Sequence, residues 1–161
     1  MTARLTPWLG LAVRLVVGGV WVSAGAVKLP DPAASVEAVR AYQALPPDLV
    51  APVGQLLPVV EVVVGAMLVL GLLTRGAGAV SAVLQAVFIV GIVSVWVRGI
   101  DIDCGCFGGG GYDPHAADAY PWEVARDTGL LAGSLLLVRL RSTAFALDNR
   151  LFRSSPVIQE A

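Results

Sequence analysis

Four long apolar segments separated by short polar stretches constrain this chain more than any other feature: Trp8 to Val27, Val53 to Leu73, Ala77 to Val97, and about Trp122 to Leu140. Crossing a bilayer asks for about 20 mainly apolar residues. The fourth segment is the weakest, with an uninterrupted apolar core only from Leu130 to Val138 and with Glu123, Arg126 and Asp127 crowding its start. Pro121 suits the first turn of a helix there, and Arg139 and Arg141 suit the last. At 57% hydrophobic and 14% charged residues, with a mean hydropathy of +0.77, the chain is too apolar for an ordinary soluble domain. The expectation is an all-α polytopic membrane protein. It comprises a four-helix transmembrane domain over residues 1–141 and a polar tail over 142–161 with the character of a disordered segment.

The start imitates a secretory signal, since an apolar run ends in the small-residue stretch "SAGA" at Ser23 to Ala26. Arg14 interrupts that run, the run is longer than a usual signal core, and three further spans follow, so the segment is read as a retained helix. Between the first two spans, Asp31 suits an N-cap, Pro32 a first turn, and Pro46-Pro47 a stop. This predicts a short helix in the first outer loop, with Val36, Val39, Tyr42 and Leu45 giving a partly apolar face; it is either interfacial or a plain capped connector. The second and third spans are joined by "TRGAG", predicting a tight antiparallel hairpin.

Charge placement sets the expected topology. Arg4, Arg75, Arg139, Arg141, Arg150 and Arg153 fall on one side with Asp148 and Glu160; Lys28, Arg40, Arg98 and Arg126 fall on the other with the ten acids from Asp31 to Asp127. By the positive-inside rule both termini are cytoplasmic. The expected location is a cell membrane, with the loop after the third span extracytoplasmic, where thiol oxidation is permitted. The lipid bilayer is the expected surrounding and no nucleic-acid partner is expected.

That loop, "IDCGCFGGGG" from Ile102 to Gly111, holds both cysteines of the chain, Cys104 and Cys106. As structural core residues they would be expected singly inside helices. As metal ligands they would need His115 and an aspartate, and structural zinc sites usually space paired cysteines by two to four residues. A permanent disulfide between i and i+2 closes almost no loop and stabilises little. Reversible redox use is the favoured reading. A disulfide needs Cα atoms about 4.4–6.8 Å apart, which an i, i+2 pair reaches only if the residue between them bends, and Gly105 permits that bend. Gly108 to Gly111 read as a flexible segment that lets another backbone approach. One pair alone makes neither a complete transmembrane thiol relay nor a two-pair oxidase. Its electrons must pass to a second protein or to a small acceptor such as a quinone.

Glu61 lies about eight residues inside the second span, where a carboxylate is costly unless paired, protonated or beside water. Lys28, at the outer end of the first span, is its best available partner. Arg126 and Asp127 start the fourth span at a similar level, so these four residues and the cysteines define either one outward-facing polar cavity or a set of structural ion pairs. Arg14 is expected to snorkel or cap a contact near the cytoplasmic end. Trp8, Trp96 and Trp122 fit an aromatic belt, which is preferred over a quinone-ring site made of Phe107, Trp96 and Trp122. The small residues in "VGGVWVSAGA" and "GAGAVSA" suit close helix packing.

The order "RLVVGGVWVSAGAVKLPDP", then "LLPVVEVVVGAMLVLGLLTR" with its internal glutamate, then "IDCGCFGG" and "WEVARDTGLLA", resembles the DoxX-like membrane proteins and, through CGCFG, the MauE branch. The resemblance runs from about Val13 to Leu140. It implies a four-helix membrane protein of extracytoplasmic thiol redox that works beside a thioredoxin-like protein in maturing a disulfide-rich dehydrogenase subunit. Cys104 and Cys106 match the family's redox pair, and Lys28, Glu61, Arg126 and Asp127 match its polar span positions.

The expected function is therefore a membrane thiol–disulfide oxidoreductase, or the membrane subunit of one. One cysteine would exchange with a thioredoxin-fold partner and the second would resolve the mixed disulfide, with Gly105 and Phe107 supporting the pair. Cys104, next to Asp103, is the expected partner-facing sulfur, with Lys28 or Arg126 offsetting the acids that would raise its pKa. The alternatives are a non-catalytic scaffold for a soluble redox enzyme and an outer-face metal-binding protein. The oligomeric state and the direction of electron flow are left open.

Overall fold

The computed structural model describes residues 2–140 and 143–148. Five helices and one small hairpin follow in order: α1 Thr2–Lys28, α2 Pro32–Ala41, α3 Pro47–Leu70, α4 Thr74–Arg98, β1 Ile102–Asp103, β2 Gly111–Tyr112 and α5 Ala116–Arg139. Among the described residues three helices are long and apolar enough to cross a membrane, over Thr6–Lys28, Pro47–Leu70 and Thr74–Arg98. The fourth expected span falls within α5, which begins at Ala116 rather than Trp122 and takes in the charged stretch ahead of its apolar half. Most of the expected tail, residues 142 and 149–161, lies outside the described residues.

The junctions follow from local chemistry. Asp31 caps α2, its carboxylate accepting from the Ala34 N–H at 2.9 Å, with Pro32 in the first turn. Gly71 at φ +70° ends α3 and Gly99 at φ +65° ends α4, in each case with two backbone N–H groups turned back onto the last turn's carbonyls. The turn between α3 and α4 is accordingly Gly71 to Leu73, and the expected connector "TRGAG" is instead the first turn of α4. Its start is capped from a distance, because the Asp148 carboxylate accepts from the N–H groups of Leu73 and Thr74 at 2.6 and 2.8 Å.

Helices α3 and α4 do not pack as a tight hairpin. α3 packs chiefly on α1 and α4 on α5, with α1 against α5 joining the two pairs. The α1–α3 approach is set by reciprocal glycines: a Cβ on Gly65 would lie 2.7 Å from the Gly18 carbonyl oxygen, and one on Gly18 would lie 2.8 Å from the Gly65 carbonyl oxygen. Without a hydrophobic drive between helices in lipid, this backbone proximity is what gains dispersion contact. Val17, Trp21, Val64, Leu68, Leu130 and Leu137 fill the core around it. A polar thread crosses that core, with Trp21 Nε1 donating to Ser81 Oγ at 2.7 Å and Ser81 paired to Ser134 at 2.8 Å.

One end of the bundle gathers the start of α1, the α3–α4 turn and the segment 143–148. Arg14 is 1% exposed there and donates to Thr143 Oγ1 at 2.9 Å, while the Ala144 N–H donates to the Pro7 carbonyl at 3.0 Å. The expectation that Arg14 caps a contact is met, and this part of the expected tail is packed onto the bundle. The opposite end gathers α2, the cysteine loop, and the adjoining ends of α3, α4 and α5.

Candidate functional site

The cysteine loop is a hairpin, with Ile102 opposite Tyr112 and Asp103 opposite Gly111. It is moored by Tyr120 of α5, whose hydroxyl accepts from the Ile102 N–H at 3.0 Å and lies 2.8 and 2.9 Å from the carbonyl oxygens of Ile100 and Ile102. Within the loop Gly105 takes φ +64°, the left-handed conformation that costs an L side chain about 1–2 kcal/mol. That bend folds Cys106 back so that its N–H donates to Cys104 Sγ at 3.2 Å. Both thiols are free; Cys104 is half-buried and Cys106 buried.

The glycine run is not the open linker expected from its composition. Gly108 to Gly111 all have positive φ, and a Cβ on Gly110 would come within 2.9 Å of the Ala38 Cα. Helix α2 therefore lies directly over the loop, and Tyr42 just beyond it donates to the Cys104 carbonyl at 2.9 Å. Burial, then the neighbouring thiols, push the Tyr42 hydroxyl pKa up, so it stays a donor. The outward surface of the hairpin is formed by Asp103, Phe107, Gly109 and Tyr112.

Two cavities meet at the pair. The larger, about 580 Å³, lies between α2, α3 and α4 and is mainly apolar; Lys28, Tyr42, Phe88, Cys104 and Cys106 are on its wall. The smaller, about 20 Å³, is bounded by Trp21, Gln85, Cys106, Phe107, Arg126 and Asp127. Cys106 and Phe88 line both.

The four expected polar residues form two separate pairs rather than one shared cavity lining. Lys28 Nζ lies 2.7 and 3.0 Å from the two Glu61 oxygens, and Glu61 is wholly buried. Arg126 Nε donates to its neighbour Asp127 at 2.9 Å, and its guanidinium stacks over the Phe107 ring with 5.1 Å to the centroid. Arg126 is the cation electrostatically coupled to both thiols, whereas Lys28 serves Glu61. Trp96 and Trp122 are exposed and line neither of these two cavities, whereas Phe107 lines the smaller. Among the described residues no group of three His, Cys, Asp or Glu side chains is placed to hold a metal ion.

Sequence reasoning missed Glu123 as a neighbour of the thiols. It interacts with Cys104, and one of its carboxylate oxygens is buried with no hydrogen-bond partner. The spacing of Glu123, Arg126 and Asp127 at i, i+3 and i+4 was the available signal, since it puts all three on one helical face. The hydrogen bond with the Cys106 thiol, followed by burial, pushes the Cys104 thiol well above the ordinary range, with Glu123 adding in the same direction. The N–H of Cys106 opposes this without overcoming it.

A helical membrane bundle carrying a cysteine pair in a hairpin at one end is the class that fold and site define. Residues 6–140 match the family model for methylamine utilisation protein MauE, and the chain belongs to that family. No curated protein and no solved structure shows significant similarity to it.

Proposed function

We propose that this MauE-family membrane protein is a thiol–disulfide exchange protein whose redox couple is Cys104 and Cys106 and whose partner is a thioredoxin-fold protein on the outer face. The observation that carries the reading is the left-handed Gly105, which brings the second cysteine's N–H onto the first cysteine's sulfur. The bend makes an i, i+2 disulfide attainable, and a ring that small is strained and readily reopened.

In the exchange, a partner thiolate attacks one sulfur of the Cys104–Cys106 disulfide. A mixed disulfide forms and the other cysteine leaves as a thiolate. The partner's second thiolate then displaces the bound cysteine, leaving the partner oxidised and the pair reduced by two electrons; each step is reversible. Cys104 is the sulfur joined to the partner, because it is the less buried of the two. Phe107 and Tyr112 beside it give the partner an aromatic surface to dock on.

Trapping tests this. Cys106→Ser and Cys104→Ser are expressed separately, thiols are quenched with acid and alkylated, and adducts are resolved on a non-reducing gel. A reducible adduct with a thioredoxin-fold protein in Cys106→Ser alone is the expected result. Docking of such a protein without any adduct in either variant would replace exchange by a scaffold role.

A further inference from the structure

We infer that the 580 Å³ cavity is the binding site of an isoprenoid quinone, which takes the electrons of the Cys104–Cys106 dithiol. The inference rests on the redox reading of the pair and supplies the acceptor that reading leaves unnamed.

Four observations converge. The cavity is mainly apolar, and its volume is within the range of about 300–1,000 Å³ usual for small-molecule sites. It lies where α3 and α4 part, with Leu57 and Pro58 on one side and Leu84 and Val87 on the other. Val87 and Val90 on that wall are 59% and 68% exposed, so the cavity opens sideways, toward lipid in a bilayer. An isoprenoid tail dissolved in the membrane enters by such a gap, whereas a water-soluble acceptor does not. Both cysteines are among the residues of the wall, so the ligand would bind beside the pair it oxidises.

Lys28 supplies the polar recognition. Its ammonium has three N–H groups; two hydrogen-bond to the oxygens of Glu61, and the third is left to donate to a quinone carbonyl beside the Phe88 ring, whose centroid lies 5.9 Å from Nζ. As the ring is reduced, negative charge grows on that oxygen, where a lysine in an apolar wall stabilises it. An acyl chain would fill the same volume but would accept no hydrogen bond from the lysine and no electrons from the cysteines.

The reaction balances within the site. Two S–H bonds break and one S–S bond forms between Cys104 and Cys106; the quinone accepts two electrons and two protons and leaves as quinol. Coupled to exchange, the path runs from the partner's dithiol to the pair and then to the quinone. One cysteine pair suffices, because the acceptor diffuses to it within the bilayer.

The test uses the full chain in lipid nanodiscs, reduced, desalted and kept anaerobic. Decyl-ubiquinone is added, and quinone absorbance and alkylatable thiols are followed together. The expected result is one quinol formed per two thiols lost. Val87→Trp, which fills the cavity from its exposed wall, should slow this by about tenfold or more, and Val90→Trp should do the same. Both variants should react with diamide, a small soluble oxidant, at the wild-type rate, which also reports an intact site. If diamide closes the wild-type disulfide and the quinone does not, the quinone inference falls while exchange stands. Equal quinone rates in wild type and both tryptophan variants would place the oxidation outside the cavity and overturn it. If diamide itself forms no intramolecular disulfide, the redox reading fails and takes this inference with it.

Discussion

At the scale of single residues, the site sets the Cys104 sulfur between opposing influences. Arg126 favours the Cys104 thiolate, whereas the Cys106 thiol, burial and Glu123 oppose it, and the net effect is an upward shift. A thiol with a raised pKa holds less thiolate at any given pH, so alkylation of Cys104 in the wild-type dithiol, followed by mass spectrometry, should still be rising above pH 9, and Cys106→Ser, which removes the thiol that raises it most, should move that rise to lower pH. Glu123→Gln in that background removes a like charge and should speed alkylation at pH 7, by about tenfold for each unit the pKa falls. An unchanged rate would mean that the carboxyl carries no charge there. The buried Lys28–Glu61 pair behaves differently. Lys28→Met strands a carboxylate that has no solvent access and should cost about 3–5 kcal/mol. The double variant Lys28→Met with Glu61→Leu should recover most of that loss. Thermal unfolding in detergent across the cycle measures the coupling, and additive losses would show that the two side chains do not act as a pair.

At the scale of elements, the bundle depends on places where backbone meets backbone. Gly65→Val puts a side chain 2.7 Å from the Gly18 carbonyl oxygen and from the Val22 N–H nitrogen, neither of which can rotate away. It should destabilise by about 1–3 kcal/mol, whereas Gly19→Val on the same helix pair meets nothing within 4 Å and should be nearly neutral. Similar melting temperatures for the two would refute close α1–α3 contact. The same reasoning applies to the loop. Gly110→Ala collides with Ala38 of α2 while Gly111→Ala meets open space, although both residues share a strained φ. Gly110→Ala should therefore expose the cysteines to alkylation more than Gly111→Ala does, and Ala38→Gly should partly restore protection.

Across the whole molecule, the start of α1 and residues 143–148 lie at one pole and the cysteine loop at the other, which would give the proposed redox chemistry a side. Combined with the arginine bias, this predicts that a reporter fused after Ala161 is active only in the cytoplasm. A membrane-impermeant maleimide should then label Cys104 only from the other face. Labelling from the cytoplasmic face would invert the topology and remove the oxidising compartment that the proposed function needs.

Length and hydropathy by themselves determined that the chain is a helical membrane protein, because about 20 apolar residues are needed to cross a bilayer. The pairing of Glu61 with Lys28 was legible for a related reason: a buried charge must find the nearest opposite one. The bend between Cys104 and Cys106 was legible too, because the glycine between them is the residue free to take the left-handed conformation. Which helix packs on which was not legible. In lipid the outward faces are as apolar as the core, so hydrophobic periodicity carries little facing information. The cap that Asp148 places on α4, 74 residues away in sequence, belongs to the same class. So do the cover that α2 forms over the glycine run and the approach of Glu123 to Cys104. Each joins groups distant in sequence whose residue types fit several settings equally well. Tertiary packing alone chose among those settings, and in parting α3 from α4 it created the cavity whose wall includes the two cysteines.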